Sequence, residues 1–317
     1  AKNFKWENTS EFDEISKNTV KSENQLEENE FVIDTEDLSL QGSYRLGVSI
    51  PGRGEYRSAF KPVLVAPAID SITWSVARDR SYAMIEVTTH KREEGGKLYC
   101  KWSYSENWES IAVYPSQLEY DVRSGRMKKL EDTETVERQF CFSEAKSAGT
   151  YIANTEKLSE NVIYKSVVKE IANTDSRLMR LYSINVSQKA LDKEAYIYWE
   201  NVRSNTSGTG GLFSPQPSEV RGNIVSTTNA EERVIGYINV STVSSAALLV
   251  NGRELGLYES SICIGNTRIF QQGAWRRAYQ EGYRPIAYLK NENGMDILTE
   301  ARWAPASCTS VEGCIPK

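Results

Sequence analysis

Period-two alternation sets the tone of this chain. Tyr44, Leu46, Val48 and Ile50 fall at every second position with polar or small residues between them, which predicts a half-buried strand. Pro51-Gly52-Arg53-Gly54 reads as a turn and 56–65 as the returning strand, a hairpin that closes a small N-terminal β domain. Pro62 and Pro67 bracket Val63-Leu64-Val65, and alternation restarts at Ile69, so a domain boundary is placed there. Further strands are predicted at 69–74, 82–88, 97–104, 111–114, 137–142, 149–153 and 162–165, with a longer one at 177–187. Short strands separated by Gly, Asp, Asn and Ser turns predict a mainly β fold of Ig/fibronectin-like β-sandwich domains with one or two short helices. Trp74 and Trp102 are expected to pack across the two sheets.

After 177–187 the period changes. Ala195, Tyr196, Trp199 and Val202 lie at helical spacing, Asp192 suits an N-cap, and Asn205-Thr206-Ser207-Gly208 suits an end, which predicts a helix over 192–204. Its aromatic stripe, Tyr196, Tyr198 and Trp199, reads as core packing and not as a ligand box. Residues 208–224 carry two prolines and several glycines and read as an ordered loop with defined turns. Gly210-Gly211 makes no phosphate loop, because no Lys-Ser/Thr pair and helix follow. Strands are expected to resume at 234–239 and 246–250, with Asn251-Gly252 as a tight turn. A short helix at 273–283 would point Trp275, Ala278 and Tyr279 inward and Arg276 and Arg277 outward. The resulting organisation is an N-terminal β domain at 1–66, a sandwich at 67–255 holding the helix and the Pro/Gly loop, and a C-terminal segment at 256–317 packed on it.

Composition narrows the chemistry. A formal charge of −5 disfavours nucleic acid as a partner, because phosphate binding needs a basic face. No run of about 18 apolar residues is present to span a bilayer as a helix. The chain starts at Ala1 with neither an initiator Met nor an apolar leader, so it is expected to be a processed or partly covered product. Seventeen Tyr and seven Trp stand against one His. A Ser-His-Asp or Cys-His arrangement would have only His90 to use, and His90 reads as part of a charged loop after a strand. None of the five Cys has C-x-x-C spacing, so neither a zinc ribbon nor a thioredoxin-type centre is indicated. Cys308 and Cys314 flank a short loop and could close a clip, and Cys100 and Cys141 could form a second bridge; buried free thiols are the alternative for each. Disulfides would favour an oxidising compartment. No cofactor is indicated. The acidic stretch 23–30 lacks the spaced oxygens of a calcium loop.

Several fragments, in order, carry a family resemblance. They include Ile69-Asp70-Ser71-Ile72, the strand from Tyr99 to Trp102, Ile152-Ala153-Asn154-Thr155 and Tyr182-Ser183-Ile184. Glu194-Ala195-Tyr196, Tyr198-Trp199, Pro215-Gln216-Pro217-Ser218, Arg221-Gly222-Asn223-Ile224 and Val234-Ile235-Gly236-Tyr237 follow. Over roughly 60–250 the chain resembles the Bacteroidota lipoproteins grouped as DUF4249, a family named for having no known function. The family's N-terminal strand pair has no evident counterpart here, and the tail at Cys308 to Lys317 departs from its usual ending. The resemblance implies an outer-membrane lipoprotein at the cell surface, anchored by an N-terminal lipid and encoded beside a TonB-dependent transporter. It supplies no catalytic residues.

The function expected is therefore non-catalytic: a binding or lid subunit of an outer-membrane β-barrel protein engaged in nutrient uptake. An accessory role in an outer-membrane assembly or secretion machine is the alternative. Candidate contact residues are Phe213, Pro215, Pro217 and Arg221 in the Pro/Gly loop, with Trp275 and Arg276 on the late helix. A carbohydrate-active enzyme would need paired carboxylates such as Glu86 and Glu106, but 43 acidic residues make such a pair easy to nominate. A secreted adhesion domain is the remaining reading, on the acceptor sequons at Asn8, Asn185, Asn205 and Asn239.

Overall fold

In the computed structural model, residues 3–8, 38–91, 96–207, 220–258, 263 and 265–309 are described. The first hairpin forms as the alternation requires: Ser43–Ile50 pairs antiparallel with Gly54–Ser58, and the turn uses Gly52 at φ 78° and Gly54 at φ 126°, where a side chain would be strained. Asn3–Asn8 adds to the other edge of Ser43–Ile50, so an N-terminal strand is in place where none was evident from the alternation. Ile224–Ser226 completes this sheet by pairing with Gly54–Ser58. A segment from late in the chain thereby closes a sheet built from its beginning.

Two further sheets face each other in a sandwich-like arrangement. One runs Phe140–Lys146, Tyr99–Ile111, Leu181–Ala190, Val243–Asn251, with Tyr151–Asn154 also paired to Tyr99–Ile111. The other runs Val162–Ala172, Tyr82–His90, Ile69–Val76. Alternation decides what enters the core between them: Ile85 and Val87 from one sheet, Cys100, Trp102, Tyr104, Tyr182, Ile184 and Val186 from the other. Each fully buried Ile or Val side chain there contributes about 1.5–3 kcal/mol. Trp102 fills this core without Trp74. Trp74 lies on an outer strand and stays 42% exposed, while the indole of Trp102 donates to Gln188 Oε1 at 2.8 Å.

A third aromatic cluster joins the C-terminal sheet, Arg268–Gln271, Asp296–Pro305 and Tyr283–Lys290, to the hairpin Leu118–Asp121/Arg126–Lys129. Tyr120 meets Trp275 and Trp303 edge-on, with ring centroids 6.3 and 5.8 Å apart, a favourable geometry for the ring quadrupoles. Backbone bonds from Gln117 N to Ile286 O and from Tyr114 N to Cys308 O fasten the same surfaces.

Local chemistry overrides the expected elements in four places. Residues 137–139 complete a helix, Asp132–Gln139, because Glu134 reaches back to the Glu131 amide at 3.0 Å; the strand begins only at Phe140. Ser176–Leu178 is a 3₁₀ turn, since Asp175 accepts from the Arg177 amide, and the strand starts at Leu181. Asn251 makes no hairpin turn. Its side chain accepts from the Arg253 amide and caps a one-turn helix, Gly252–Leu255. Residues 234–239 form no strand: Gly236 sits at φ 143°, and a Cβ on Gly222 would lie 1.7 Å from the Gly236 carbonyl oxygen. The two segments are joined by Asn223, whose amide accepts from Ile238 N and donates to Ile238 O, both at 2.8 Å. One side chain thus replaces a rung of a β-ladder.

The cysteines pair differently from the sequence expectation. Cys308 is bonded to Cys263, with Cα atoms 5.5 Å apart, and not to Cys314, which lies outside the described residues. Cys100 is a buried free thiol. It cannot bridge Cys141, which lies opposite Ser110 on the strand that also carries Cys100, ten residues away or about 33 Å at 3.3 Å per residue. Cys141 is disulfide-bonded elsewhere. Burial pushes the Cys100 thiol up to about 12. A raised folded-state value means this stabilisation is complete below the unfolded thiol's pKa of about 8.5 and is lost as pH rises toward 12. The stability gap between the parent protein and Cys100→Ala is therefore expected to hold from pH 7 to 8.5. It should then shift in favour of the variant by about 1.4 kcal/mol per pH unit. Urea melts from pH 7 to 10 check this, and a pH-independent gap would contradict it.

Candidate binding site

Residues 63–68 cross from the N-terminal sheet to the sandwich without joining a full ladder, so side chains must satisfy much of their backbone. Leu64 N donates to Val240 O, Thr242 N to Leu64 O, and Ala66 N to Thr242 Oγ1. From below, the Gln188 amide donates to Pro67 O at 2.8 Å and to Thr89 Oγ1 at 3.1 Å, and Thr89 Oγ1 donates to Ala68 O at 2.8 Å. Gln188 and Thr89 are fully buried, so each unmade bond would cost about 1–3 kcal/mol. The crossing segment is held off the sandwich wall, and a cleft of about 470 Å³ remains beside it. Leu64, Val65, Pro67, Leu98, Tyr99 and Leu191 supply apolar walls, and Lys91 and Lys97 also line it, the Lys97 ammonium donating to Leu158 O at 2.8 Å. That size and lining suit a small apolar ligand or a few residues of a partner chain.

The expected helix forms as Lys193–Ser207, and Asp192 caps it by accepting from Ala195 N at 2.7 Å. Its start is tied to the N-terminal sheet through Lys61. The ammonium lies 2.9 Å from Asp192 and 2.8 Å from Glu194, and 5.2 Å from the centre of the Tyr237 ring. Burial alone would lower the Lys61 pKa; the bonds to Glu194, Tyr237 and Asp192 outweigh it and raise the value. Tyr99 donates to Glu156 at 2.7 Å, and burial, then that bond, push its hydroxyl up to about 12. Tyr196 and Tyr198 are buried and Trp199 is partly covered, the core role read from their spacing.

The carboxylates nominated for acid–base chemistry are not brought together. Glu106 shares the inward parity of Trp102 and Tyr104 and is 2% exposed. It accepts from Tyr182 and Arg177 at 2.8 Å each and from Lys169 at 3.4 Å. Arg177 also holds Asp175 and stacks on Trp108 at 3.9 Å. Glu86, on the facing sheet, follows core-facing Ile85 and has the opposite parity; it meets Thr73 and Lys165 at 3.4 and 3.5 Å. His90 ends its strand with Nδ1 2.7 Å from Asp70. Among the described residues, no three His, Cys, Asp or Glu gather to hold a metal ion.

Phe213, Pro215 and Pro217 lie outside the described residues. Arg221 is exposed at the described end of that loop. Trp275 is no contact residue: it is 2% exposed, and its indole N–H donates to Phe270 O at 3.1 Å within the C-terminal aromatic cluster. Arg276 is exposed but donates to Val122 O at 3.0 Å, which ties its helix to the Leu118–Lys129 hairpin. Sequence reasoning missed Lys61, Gln188 and Thr89, the residues that build the junction. Gln188 and Thr89 fall at inward positions of otherwise clean alternation, which is the signal that marks them; Lys61, on the two-residue strand Lys61–Pro62 after exposed Ala59 and Phe60, carries no such signal.

The fragments Arg221-Gly222-Asn223-Ile224 and Val234-Ile235-Gly236-Tyr237 are now physically intelligible as the two halves of one clamp beside this junction. Residues 4–247 match the family model described as a domain of unknown function, DUF4249. The chain belongs to the DUF4249 family. The match spans the N-terminal sheet, the sandwich, the helix and the junction, whereas the C-terminal sheet lies beyond it. No curated protein and no solved structure matches the chain. The DUF4249 portion is mainly β with few short helices, and Lys61–Asp192 and Arg177–Glu106 fasten one of its elements to another.

Proposed function

We propose that this DUF4249 protein is a non-catalytic outer-membrane lipoprotein of a Bacteroidota cell, displayed at the surface by an N-terminal lipid, with an Ig/fibronectin-like sandwich as its scaffold. It acts as a binding or lid subunit on an outer-membrane β-barrel of the TonB-dependent nutrient-uptake type. The observation that carries this reading is the cleft at the junction of sheet and sandwich, with apolar walls, two amines, and a frame fixed by buried hydrogen bonds. Support also comes from apolar side chains on the segments that build the junction: Val65 is 68% exposed, Val225 62% and Ile235 83%. Exposed apolar groups of this kind suit a partner surface. The Cys263–Cys308 bond fits an oxidising compartment.

Purification of the native protein from outer membranes in mild detergent is expected to bring a β-barrel with it. Val65→Asp puts a charge on the cleft wall at an exposed position. It is expected to leave stability within about 0.5 kcal/mol while weakening barrel recovery about tenfold. Recovery without any barrel, or equal recovery with the variant, would contradict the reading.

A further inference from the structure

Lys101 and Lys189 stand directly opposite each other on paired strands, Tyr99–Ile111 and Leu181–Ala190. Both have the outward parity of their strands, so the two ammonium groups share one face of the sheet. Like charges directly opposite in an antiparallel pair destabilise it. Here no carboxylate relieves them: among the described residues neither lysine has an ion pair or hydrogen bond to an acid. Nearby acids are engaged otherwise, Glu156 with Lys193 at 2.6 Å and Glu200 with Arg203 at 3.8 Å.

The helix Lys193–Ser207 deepens the site. The Lys101 ammonium lies 2.9 Å from the centre of the Trp199 ring, and one turn on, Arg203 reaches Ile152 O at 3.5 Å. Ile152 is the residue opposite Lys101 on its other flank, so Arg203 closes that side. Lys101 and Lys189 therefore share this face beside the helix, while Arg203 is occupied by Ile152 O and Glu200. Burial, then the charge of Lys189, lower the Lys101 pKa to about 8, which leaves the amine largely charged at neutral pH. One row further along the same face come Ser103, exposed, and Ser187, paired across the next strand to Ser245 at 3.1 Å. Methionine would fill the space over Trp199 without the charge repulsion between the two lysines. What the amines add is affinity for negative charge.

We infer that Lys101 and Lys189, with the Ser103 and Ser187 hydroxyls beside them, form a binding site for a doubly charged tetrahedral oxyanion, a phosphate or sulfate group. Two ammonium point charges with hydroxyl donors in the next row suit an oxyanion that takes several separate hydrogen bonds, as a phosphate or sulfate does. The site lies on the sheet's outer face and does not require the barrel reading to hold.

Thermal melts of the full chain at fixed ionic strength test it, with inorganic phosphate or sulfate replacing chloride. A ligand that binds only the folded state raises the midpoint. Phosphate or sulfate is expected to raise the midpoint of the parent protein by about 2–4 °C at saturation. Lys101→Met should remove the gain, and its cooperative melt in chloride shows that it folds. Lys189→Met should weaken the apparent affinity about tenfold. A sulfated disaccharide and vesicles bearing a phosphomonoester headgroup then separate sources: a gain with either identifies the carrier, and a gain with the inorganic ions alone assigns a free anion. Equal midpoint gains in the parent and Lys101→Met, or no gain over chloride, would overturn the inference.

Discussion

Replacing Glu106 with alanine is expected to lower the unfolding free energy by about 3–5 kcal/mol, the range found when one member of a buried ion pair is removed. The carboxylate is 2% exposed and accepts from Tyr182, Arg177 and Lys169 between the two sheets. Without it, Lys169 and the buried Tyr182 hydroxyl keep their desolvation cost and lose this partner, and Arg177 keeps only Asp175. The burial of Tyr182, reinforced by the adjacent Glu106 charge, holds its hydroxyl far above the ordinary tyrosine range, so it remains a donor. Loss of a catalytic carboxylate would leave stability nearly unchanged, whereas loss of this one should shift the urea midpoint strongly. A second variant separates an unpaired charge from a general packing defect. Combining Glu106→Leu with Arg177→Met and Lys169→Met is expected to recover at least half of the loss, because well-packed apolar groups can replace buried ion clusters at little cost. A triple variant as unstable as the single one would contradict that account.

The Cys263–Cys308 bond has the next largest expected effect. It closes a loop with a sequence separation of 45 and joins the start of the C-terminal region to its last described helix, Ala306–Thr309. Constraint of the unfolded chain over such a loop is worth about 4 kcal/mol, and native bonds in secreted domains commonly contribute about 2–5 kcal/mol. Replacing both cysteines by serine is expected to cost that much and to loosen the Tyr114 N to Cys308 O bond first. Hydrogen exchange at the Tyr114 amide gives the local readout and urea melts the global one. Slow exchange at Tyr114 together with an unshifted midpoint would show that packing alone secures this region.

Particular residues show why some of this was legible in the sequence. Tyr182, Ile184 and Val186 enter the core because strand parity leaves them no choice, and the same rule places Glu106 inward beside Trp102 and Tyr104. The helix was legible because Asp192 and the 3.6-residue aromatic spacing are both local signals. The boundaries that moved did so where one side chain competed with the ladder: Glu134 at Glu131, Asp175 at Arg177, Asn251 at Arg253. Nothing local announces that Gly222 meets Gly236, that Cys308 finds Cys263, or that Lys61 reaches Asp192 across 131 residues. Those contacts are set by how the sheets pack, and they define the candidate site. Trp275 follows its helical spacing, which points it inward to the cluster with Tyr120 and Trp303, so it drops from the contact candidates.

What lies against the cleft in a living cell decides the function of this protein. A photoreactive residue at position 65, on the cleft wall, should be compared with one at position 298, equally exposed on the C-terminal sheet: Val65 is 68% and Leu298 65% exposed. On intact cells, position 65 is expected to yield one dominant adduct with an outer-membrane β-barrel, and position 298 is not. No barrel adduct from position 65, or the same adduct from both positions, would contradict the proposed role.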